Sequence, residues 1–172
     1  QMISYANTIL NRYETALNNG ANRDKLMQYV GEAHFYRAVA YGRLLYRYGD
    51  VPYVTTEISI DEALNKPRDS KETVLKHAYD DFDKAAELLP NAYSGLQRIT
   101  KGAALALKAR TALYLADYKT AAEAAKAVMN LGVYQLHPSY ADLFLQKTRT
   151  STEFIFALPR SLALDYNVLK GN

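Results

Sequence analysis

The sequence predicts an all-α fold, a tetratricopeptide-like helical repeat (α-solenoid) with a long loop after the second helix. Two observations support this prediction. Apolar residues recur every three or four positions along most of the chain, which is the spacing of one face of an α-helix. The segments with this spacing are separated by residues typical of helix ends and helix starts, such as Gly20, Gly49 and Ser70.

The first two predicted helices run over about residues 2–18 and 24–48. The first carries an apolar stripe from Ile3 to Leu17 and ends at an Asn-Asn-Gly sequence. In the second, Gly49 favours a left-handed helix end, and Pro52 prevents continuation. One face of the second helix is predicted to comprise Leu26, Val30, Ala33, Arg37, Tyr41, Leu44 and Tyr48.

Residues 50–69 form the long connection. It contains two prolines and two short β-branched pieces, at 54–56 and 58–60, which favour extended backbone. Long connections in compact domains are often functional, so this loop is the first place to look for a ligand site.

Three further helices are predicted behind good capping residues. Ser70 precedes a helix that ends before Pro90, Thr100 precedes a helix over about 101–115, and Asp117 precedes one that ends at Gly132. Residues 100–131 resemble a tetratricopeptide unit, because two alanine-rich helices are joined by a tight turn. A short helix near 140–145 and an extended piece over 153–158 follow. We expect the helical domain to span residues 1–160, with 161–172 as an unplaced tail.

The composition excludes several classes of protein. The net charge of +3 is small and scattered, so it does not indicate nucleic-acid binding. The chain has no cysteine, which excludes disulfides and thiolate zinc sites. No apolar run approaches the roughly 20 residues of a membrane-spanning helix. Common nucleotide-binding and hydrolase motifs are also absent from the sequence.

A series of motifs in a fixed order along the chain carries a family resemblance. Residues 32–52 are similar to the pattern E-A-x-F-x-R-A-x-x-Y-x-x-L-x-x-x-Y-G-D-V-P. Residues 98–110 are similar to the run G-R-(I/V)-T-K-x-A-A-x-A-L-x-A-R from its arginine onward, and Gln97 stands where the pattern has glycine. The helix over 117–128 and the segments 140–144 and 153–156 follow in the usual order. Together these motifs resemble the SusD/RagB family of surface glycan-capture lipoproteins of Gram-negative bacteria.

The resemblance implies a non-enzymatic function. We expect capture of an oligosaccharide at the bacterial outer-membrane surface and its transfer to a SusC-like TonB-dependent transporter. Contact with the membrane would be only through a lipid anchor that this sequence does not contain, and we expect the chain to be an internal fragment of a longer protein. The alternative is a generic tetratricopeptide-like scaffold that binds other proteins.

Candidate ligand contacts lie in two loops. In the long connection, Tyr53 is predicted to stack on a sugar ring, and Asp61, Asn65 and Arg68 are predicted to bond its hydroxyl groups. In the loop over 91–98, the candidates are Asn91, Tyr93 and Gln97. The alternative for both loops is a surface segment that shapes the contact with the partner protein or only links helices. The chain contains no tryptophan, so part of any sugar platform is expected outside it.

No catalytic residue, metal ligand or cofactor site is predicted. The three histidines lack the paired spacing of zinc ligands. Catalysis by carboxylates requires two groups held apart across a cleft, whereas neighbours on one helix, such as Asp80, Asp81 and Asp83, mostly face solvent.

Four helical arginines, at positions 37, 43, 47 and 110, allow two interpretations. One is a basic groove for an anionic ligand. The other, which we favour, is structural pairing between helices, with Glu32, Asp50 or Asp80 as the partner.

Overall fold

Seven α-helices form the framework of the structure, a computed structural model that describes residues 1–93, 98–145 and 150–157. The helices are α1 (Met2–Asn18), α2 (Arg23–Tyr48), α3 (Ile60–Asn65), α4 (Lys71–Leu88), α5 (Lys101–Tyr114), α6 (Tyr118–Asn130) and α7 (Tyr140–Leu143). No β-strand forms within these ranges, so the predicted all-α class is confirmed. Gln97, Leu158 and the tail at 161–172 lie outside the described residues.

Side-chain caps explain where most of the helices begin. The Ser70 hydroxyl accepts a hydrogen bond from the Thr73 amide, and the Thr100 hydroxyl caps α5 in the same way. The Asp117 carboxylate accepts from the Thr120 amide at the start of α6. These bonds satisfy helix N–H groups that have no partner within the helix.

The end of α2 also follows from the sequence. Gly49 has a φ of 67°, a left-handed conformation that costs glycine little, and its amide donates to the carbonyl oxygen of Leu45. The chain then turns sharply into the connection. The amide of Asp69 bonds the carbonyl oxygen of Val51 at 3.1 Å in an isolated antiparallel bridge. This bridge brings the end of α2 beside the start of α4, so the two helices pack antiparallel.

α2 is the central helix. Its most extensive packing is against α4, and it also contacts α1 and α5, while α6 packs chiefly on α5. Two apolar clusters fill these contacts. One contains Phe35, Ala38, Phe82, Ala85, Ala86, Leu89, Ile99, Ala103 and Ala104; the other contains Tyr41, Leu45, Val51, Val74 and Ala78. Small residues dominate the α4–α5 contact, which permits the close approach of these helices.

Three details of the sequence prediction are wrong. The connection after α2 is not a loop throughout, because Ser59 and Glu62 form a reciprocal capping box that starts α3. The buried face of α2 contains Leu45, which is 2% exposed, while Leu44 is half-buried and Tyr48 is 63% exposed. Residues 153–157 form a turn and bends instead of an extended piece.

Candidate functional site

A buried ion pair joins α2 to α4. The Nε and Nη2 atoms of Arg37 donate to the two carboxylate oxygens of Asp81 at 2.7 and 2.8 Å. Arg37 is only 8% exposed and Asp81 only 4%, and Nδ1 of His34 lies 2.7 Å from the same carboxylate. Burial alone raises the pKa of Asp81, but the bonds from Arg37 and His34 outweigh burial and lower that pKa below its usual range.

This pair corrects two expectations and supports a third. The partner of Arg37 is Asp81, not Asp80, and Asp81 does not lie on a solvated face. Glu32 pairs instead with Arg98, at 2.8 Å. The structural role that we favoured for Arg37 agrees with its burial and its bidentate geometry, which is the strongest form of an arginine–carboxylate contact.

Asn7 extends the ion pair to the long connection. Its side-chain oxygen accepts from Nη1 of Arg37 at 3.0 Å, and its amide donates to the carbonyl oxygen of Val54 at 2.9 Å. We call Asn7, His34, Arg37 and Asp81 the polar node. Because the node joins α1, α2, α4 and the connection, it fixes where the connection starts.

The remainder of the connection is held at several points. The carboxylate of Asp69 accepts from the Tyr53 amide at 2.7 Å, and that of Asp50 accepts from the Lys71 amide at 2.8 Å. On the α1 side, Glu57 accepts from Thr8 and from Arg12. The connection is therefore an ordered surface segment fastened to three helices.

The four candidates in this connection have different surroundings. The Tyr53 ring stacks on His77, with ring centroids 4.4 Å apart and planes 5° apart, and it also packs against Tyr41 at 4.8 Å. Burial raises the pKa of Tyr53 to about 12. Two neighbouring rings pack against this ring, which favours a supporting role for it.

The other candidates in the connection lie on its outer surface. Asp61 and Asn65 are exposed on α3, where the Asn65 side chain donates to the carbonyl oxygen of Asp61 at 2.8 Å. Arg68 is exposed on the segment between α3 and α4. These three side chains present polar groups to solvent and are available to sugar hydroxyl groups.

A cavity of about 560 Å³ contains the candidates of the other loop. Asn91 and Tyr93 line it together with residues from α2, from the start of α5 and from the segments at 133–134 and 150–157. We call it the Tyr93 cavity. The Tyr93 hydroxyl is buried and has no hydrogen-bond partner among the described residues. An unpaired buried hydroxyl is costly, so a ligand that pairs with it gains affinity.

Arg98 shapes one wall of the Tyr93 cavity. Its guanidinium lies 5.0 Å from the ring centroid of Tyr29 and 5.2 Å from that of Tyr93, and it pairs with Glu32. Sequence reasoning missed this residue as a site component, although it stands at the start of the second family motif. Tyr29 and Glu32 lie far from it along the chain, so no local signal identifies these two partners.

Tyr134 forms another wall because residue 102 is glycine. A Cβ atom at Gly102 would overlap the Tyr134 ring, so the missing side chain creates the space for that ring. The Tyr134 hydroxyl lies 3.2 Å from the hydroxyl of Thr100, the residue that caps α5. The start of α5 and the position of this aromatic ring are thus set together.

The structure does not bring the two groups of candidates together. Asn91 and Tyr93 line the Tyr93 cavity, whereas Tyr53, Asp61, Asn65 and Arg68 do not. Gln97 lies outside the described residues. The two loops therefore present separate candidate surfaces.

The histidines have local roles in the described structure. His34 belongs to the polar node, His77 stacks on Tyr53, and Nδ1 of His137 lies 2.8 Å from the carbonyl oxygen of Ser139. In the part of the chain that the structure describes, no group of three or more His, Asp or Glu side chains is placed to hold a metal ion. None of the helices in the described residues has the length and apolar character needed to cross a membrane.

Comparison with known proteins identifies relatives of this chain. The sequence model of a SusD-like family, described as "Starch-binding associating with outer membrane", matches residues 1–115. SusD-like protein P38 of Formosa agariphila is similar to the chain, with 32% identity over 122 residues, or 69% of this chain and 24% of the relative.

Solved structures have the same fold. A SusD-like protein of Bacteroides fragilis matches with a TM-score of 0.81 and 27% identity, over 93% of this chain and 32% of that one. A SusD-like carbohydrate binding protein of the same species matches with a TM-score of 0.77 and 31% identity, over 90% of this chain and 30% of that one. The chain thus spans between about a quarter and a third of the length of these relatives.

Proposed function

The chain belongs to the SusD-like family, and we propose on this premise that it captures oligosaccharides at the bacterial outer membrane without catalysing their cleavage. The observation that carries the proposal is the match of a family described as starch-binding over residues 1–115. The similarity to a SusD-like carbohydrate binding protein of Bacteroides fragilis supports the same ligand class. Attachment through a lipid anchor and transfer of the ligand to a SusC-like TonB-dependent transporter are parts of this proposal.

The Tyr93 cavity is our proposed sugar contact within this chain. Sugars bind proteins through hydroxyl groups that need hydrogen-bond partners and through C–H faces that pack on aromatic rings. The cavity offers both, because the Tyr93 hydroxyl lacks a partner in the described structure and the rings of Tyr36, Tyr134 and Phe154 line the same space. Asn91, exposed at the rim, adds an amide that donates and accepts hydrogen bonds.

The surface of α3 is our second proposed contact. Asp61, Asn65 and Arg68 are exposed and polar, and they stand on a connection that is fastened to α1, α2 and α4. A fixed backbone lowers the conformational entropy lost on binding. We propose that Tyr53 supports this surface from beneath, through its stack on His77.

Isothermal titration calorimetry of the 172-residue chain with neutral α- and β-glucan oligosaccharides tests the proposal. We expect binding, and we expect Tyr93→Phe to weaken it about five- to tenfold, the equivalent of one hydrogen bond. Tyr118→Phe is the matched control, because Tyr118 is exposed on α6 and does not line the Tyr93 cavity.

The outcomes separate the parts of the proposal. Equal weakening by both variants, or by neither, would contradict the assignment of the Tyr93 cavity. A loss of affinity in an Asn65→Ala variant alone would place the contact on α3. No binding of any glucan would remove the support for a site within this chain. Release of reducing ends during the titration would contradict the non-enzymatic part.

A further inference from the structure

A second cavity, of about 1000 Å³, lies between the C-terminal half of α2 and α5, and the first three residues of the chain and Phe156 also line it. Three arginines line it: Arg43 and Arg47 from α2, and Arg110 from α5. We call this cavity the arginine cleft. None of the six ligand candidates that lie within the described residues lines it.

The three arginines differ from the paired arginines of the same chain. Arg12, Arg37 and Arg98 each form an ion pair with a carboxylate. Arg43, Arg47 and Arg110 are exposed, and none of them forms an ion pair within the described ranges. Among the described residues, those that line the cleft include no aspartate or glutamate. The cleft therefore concentrates positive charge that the described protein does not neutralise.

Two tyrosines supply an aromatic surface in the same cleft. The rings of Tyr46 and Tyr114 have centroids 5.2 Å apart at an interplanar angle of 36°, so the pair joins α2 to α5. Tyr46 is 61% exposed and Tyr114 is 59% exposed. Rings held in place yet open to solvent can pack against the C–H face of a sugar without further ordering.

We propose that the arginine cleft binds the acidic groups of an anionic oligosaccharide, either uronate carboxylates or sulfate esters. A guanidinium presents paired N–H donors that match the two oxygens of a carboxylate or sulfate. Three such groups around one cleft, beside an exposed aromatic pair, fit a chain of charged sugar rings. This inference rests on the proposed function in one respect, that the ligand is a glycan. What it adds is that this glycan carries negative charge.

The test is a calorimetric titration of the 172-residue chain with trigalacturonate and with its fully methyl-esterified, neutral counterpart. We expect trigalacturonate to bind at least about tenfold more tightly, and its affinity to fall as salt rises from about 0.1 M to about 1 M, because salt screens exposed charges. Dextran sulfate, titrated in parallel, represents the sulfate-ester form of the ligand.

Substitutions locate the binding. Arg43→Gln, Arg47→Gln and Arg110→Gln are each expected to weaken trigalacturonate binding about five- to tenfold, the equivalent of one charge-assisted hydrogen bond at an exposed site. Arg23→Gln is the matched control, because Arg23 is exposed at the opposite end of α2 and does not line the cleft. Urea denaturation should show equal stability for all four variants, since all four side chains are exposed.

Three results would overturn the inference. They are equal affinity for the charged and neutral trisaccharides, equal effects of Arg23→Gln and the cleft substitutions, and tighter binding of an oligoglutamate peptide than of either anionic saccharide. Binding of neutral glucans that is unaffected by the cleft substitutions would overturn only this inference and would leave the proposed function supported. Binding of trigalacturonate without neutral glucans would support the cleft and contradict the neutral-sugar site.

Discussion

The hydroxyl group of Tyr41 bonds both backbone polar groups of Val54. It accepts from the Val54 amide at 2.7 Å and donates to the Val54 carbonyl oxygen at 3.1 Å. The Tyr41 side chain is buried in the α2 core, so one residue of the central helix fixes the first residues of the connection that follows it. Burial also raises the pKa of Tyr41, which keeps its hydroxyl protonated as a donor.

Tyr41→Phe is expected to destabilise the protein by about 1–3 kcal/mol, because the Val54 amide loses its partner in a half-buried position. Urea denaturation measures this cost. Tyr5→Phe is the control, since Tyr5 is exposed on α1, and it should change the free energy of unfolding by less than about 0.5 kcal/mol. Equal stability of the two variants would show that the Tyr41 bonds contribute nothing.

Asp81→Asn is expected to cost about 3–5 kcal/mol at neutral pH, because it leaves the Arg37 guanidinium buried without a counter-charge. Asp80→Asn is the matched control on the adjacent, exposed position. Chemical denaturation of both variants and the unsubstituted protein gives the comparison.

The stability that Asp81 contributes depends on pH in a defined direction. The pKa of Asp81 is lower in the folded protein than its ordinary value of 3.8. Its stabilising contribution is therefore fully present above that ordinary value, and it is lost as pH falls through the lower folded pKa. The difference in stability between the unsubstituted protein and Asp81→Asn should shrink over this acidic range. A difference that stays constant from neutral pH down to about pH 2 would contradict the linkage.

Leu45→Ala and Leu44→Ala form a matched pair on successive positions of α2. Leu45 is almost fully buried beside Tyr41 and Val74, whereas Leu44 is half-buried. Leu45→Ala is expected to cost about 3–5 kcal/mol, and Leu44→Ala about half as much, because less apolar surface leaves its packed environment. Urea denaturation measures the free energy of unfolding of both variants. A larger loss of stability for Leu44→Ala than for Leu45→Ala would show that the helix face predicted from the sequence is correct.

Asp117 has two roles at the start of α6. Its carboxylate accepts a hydrogen bond from the Thr120 amide. It also accepts a hydrogen bond, at 3.2 Å, from the hydroxyl group of Tyr79 on α4. The bonds from Thr120 lower the pKa of Asp117. Asp117→Ala is expected to cost about 1–2 kcal/mol in a thermal or urea melt, while Asp117→Asn, which keeps a capping oxygen, should cost less than about half of that. Equal costs would assign the effect to charge instead of capping.

The sequence was sufficient for the positions of the long helices. The starts behind Ser70, Thr100 and Asp117 and the end before Gly49 follow from local chemistry, since a capping side chain acts within three residues. The short helix α3 was missed because nearby β-branched residues favour extended backbone. The capping box of Ser59 and Glu62 was the available signal.

The sequence did not predict contacts between residues that lie far apart along the chain. Arg37 and Asp81 are 44 positions apart, and the neighbouring Asp80 carries the same carboxylate group. The face of α4 that is buried selects Asp81, which lies on the same side of this helix as Val74 and Ala78, whereas Asp80 is exposed. The walls of the Tyr93 cavity come from five separated segments, so the sequence identified Asn91 and Tyr93 as candidates but gave no account of Arg98 or Tyr134.

The polar node has a consequence for how this protein unfolds. In a simple repeat array each unit contacts only its neighbours, and the units melt one after another from the ends. Here Asn7, Arg37 and Asp81 tie three helices and the connection through one buried set of bonds. Separating α2 from α4 leaves a buried charge unpaired, and separating α1 leaves a buried N–H of Arg37 without its acceptor. Residues 1–88 should therefore exchange their amide hydrogens as one cooperative unit, while α6, which packs chiefly on α5, opens earlier and at lower free energy.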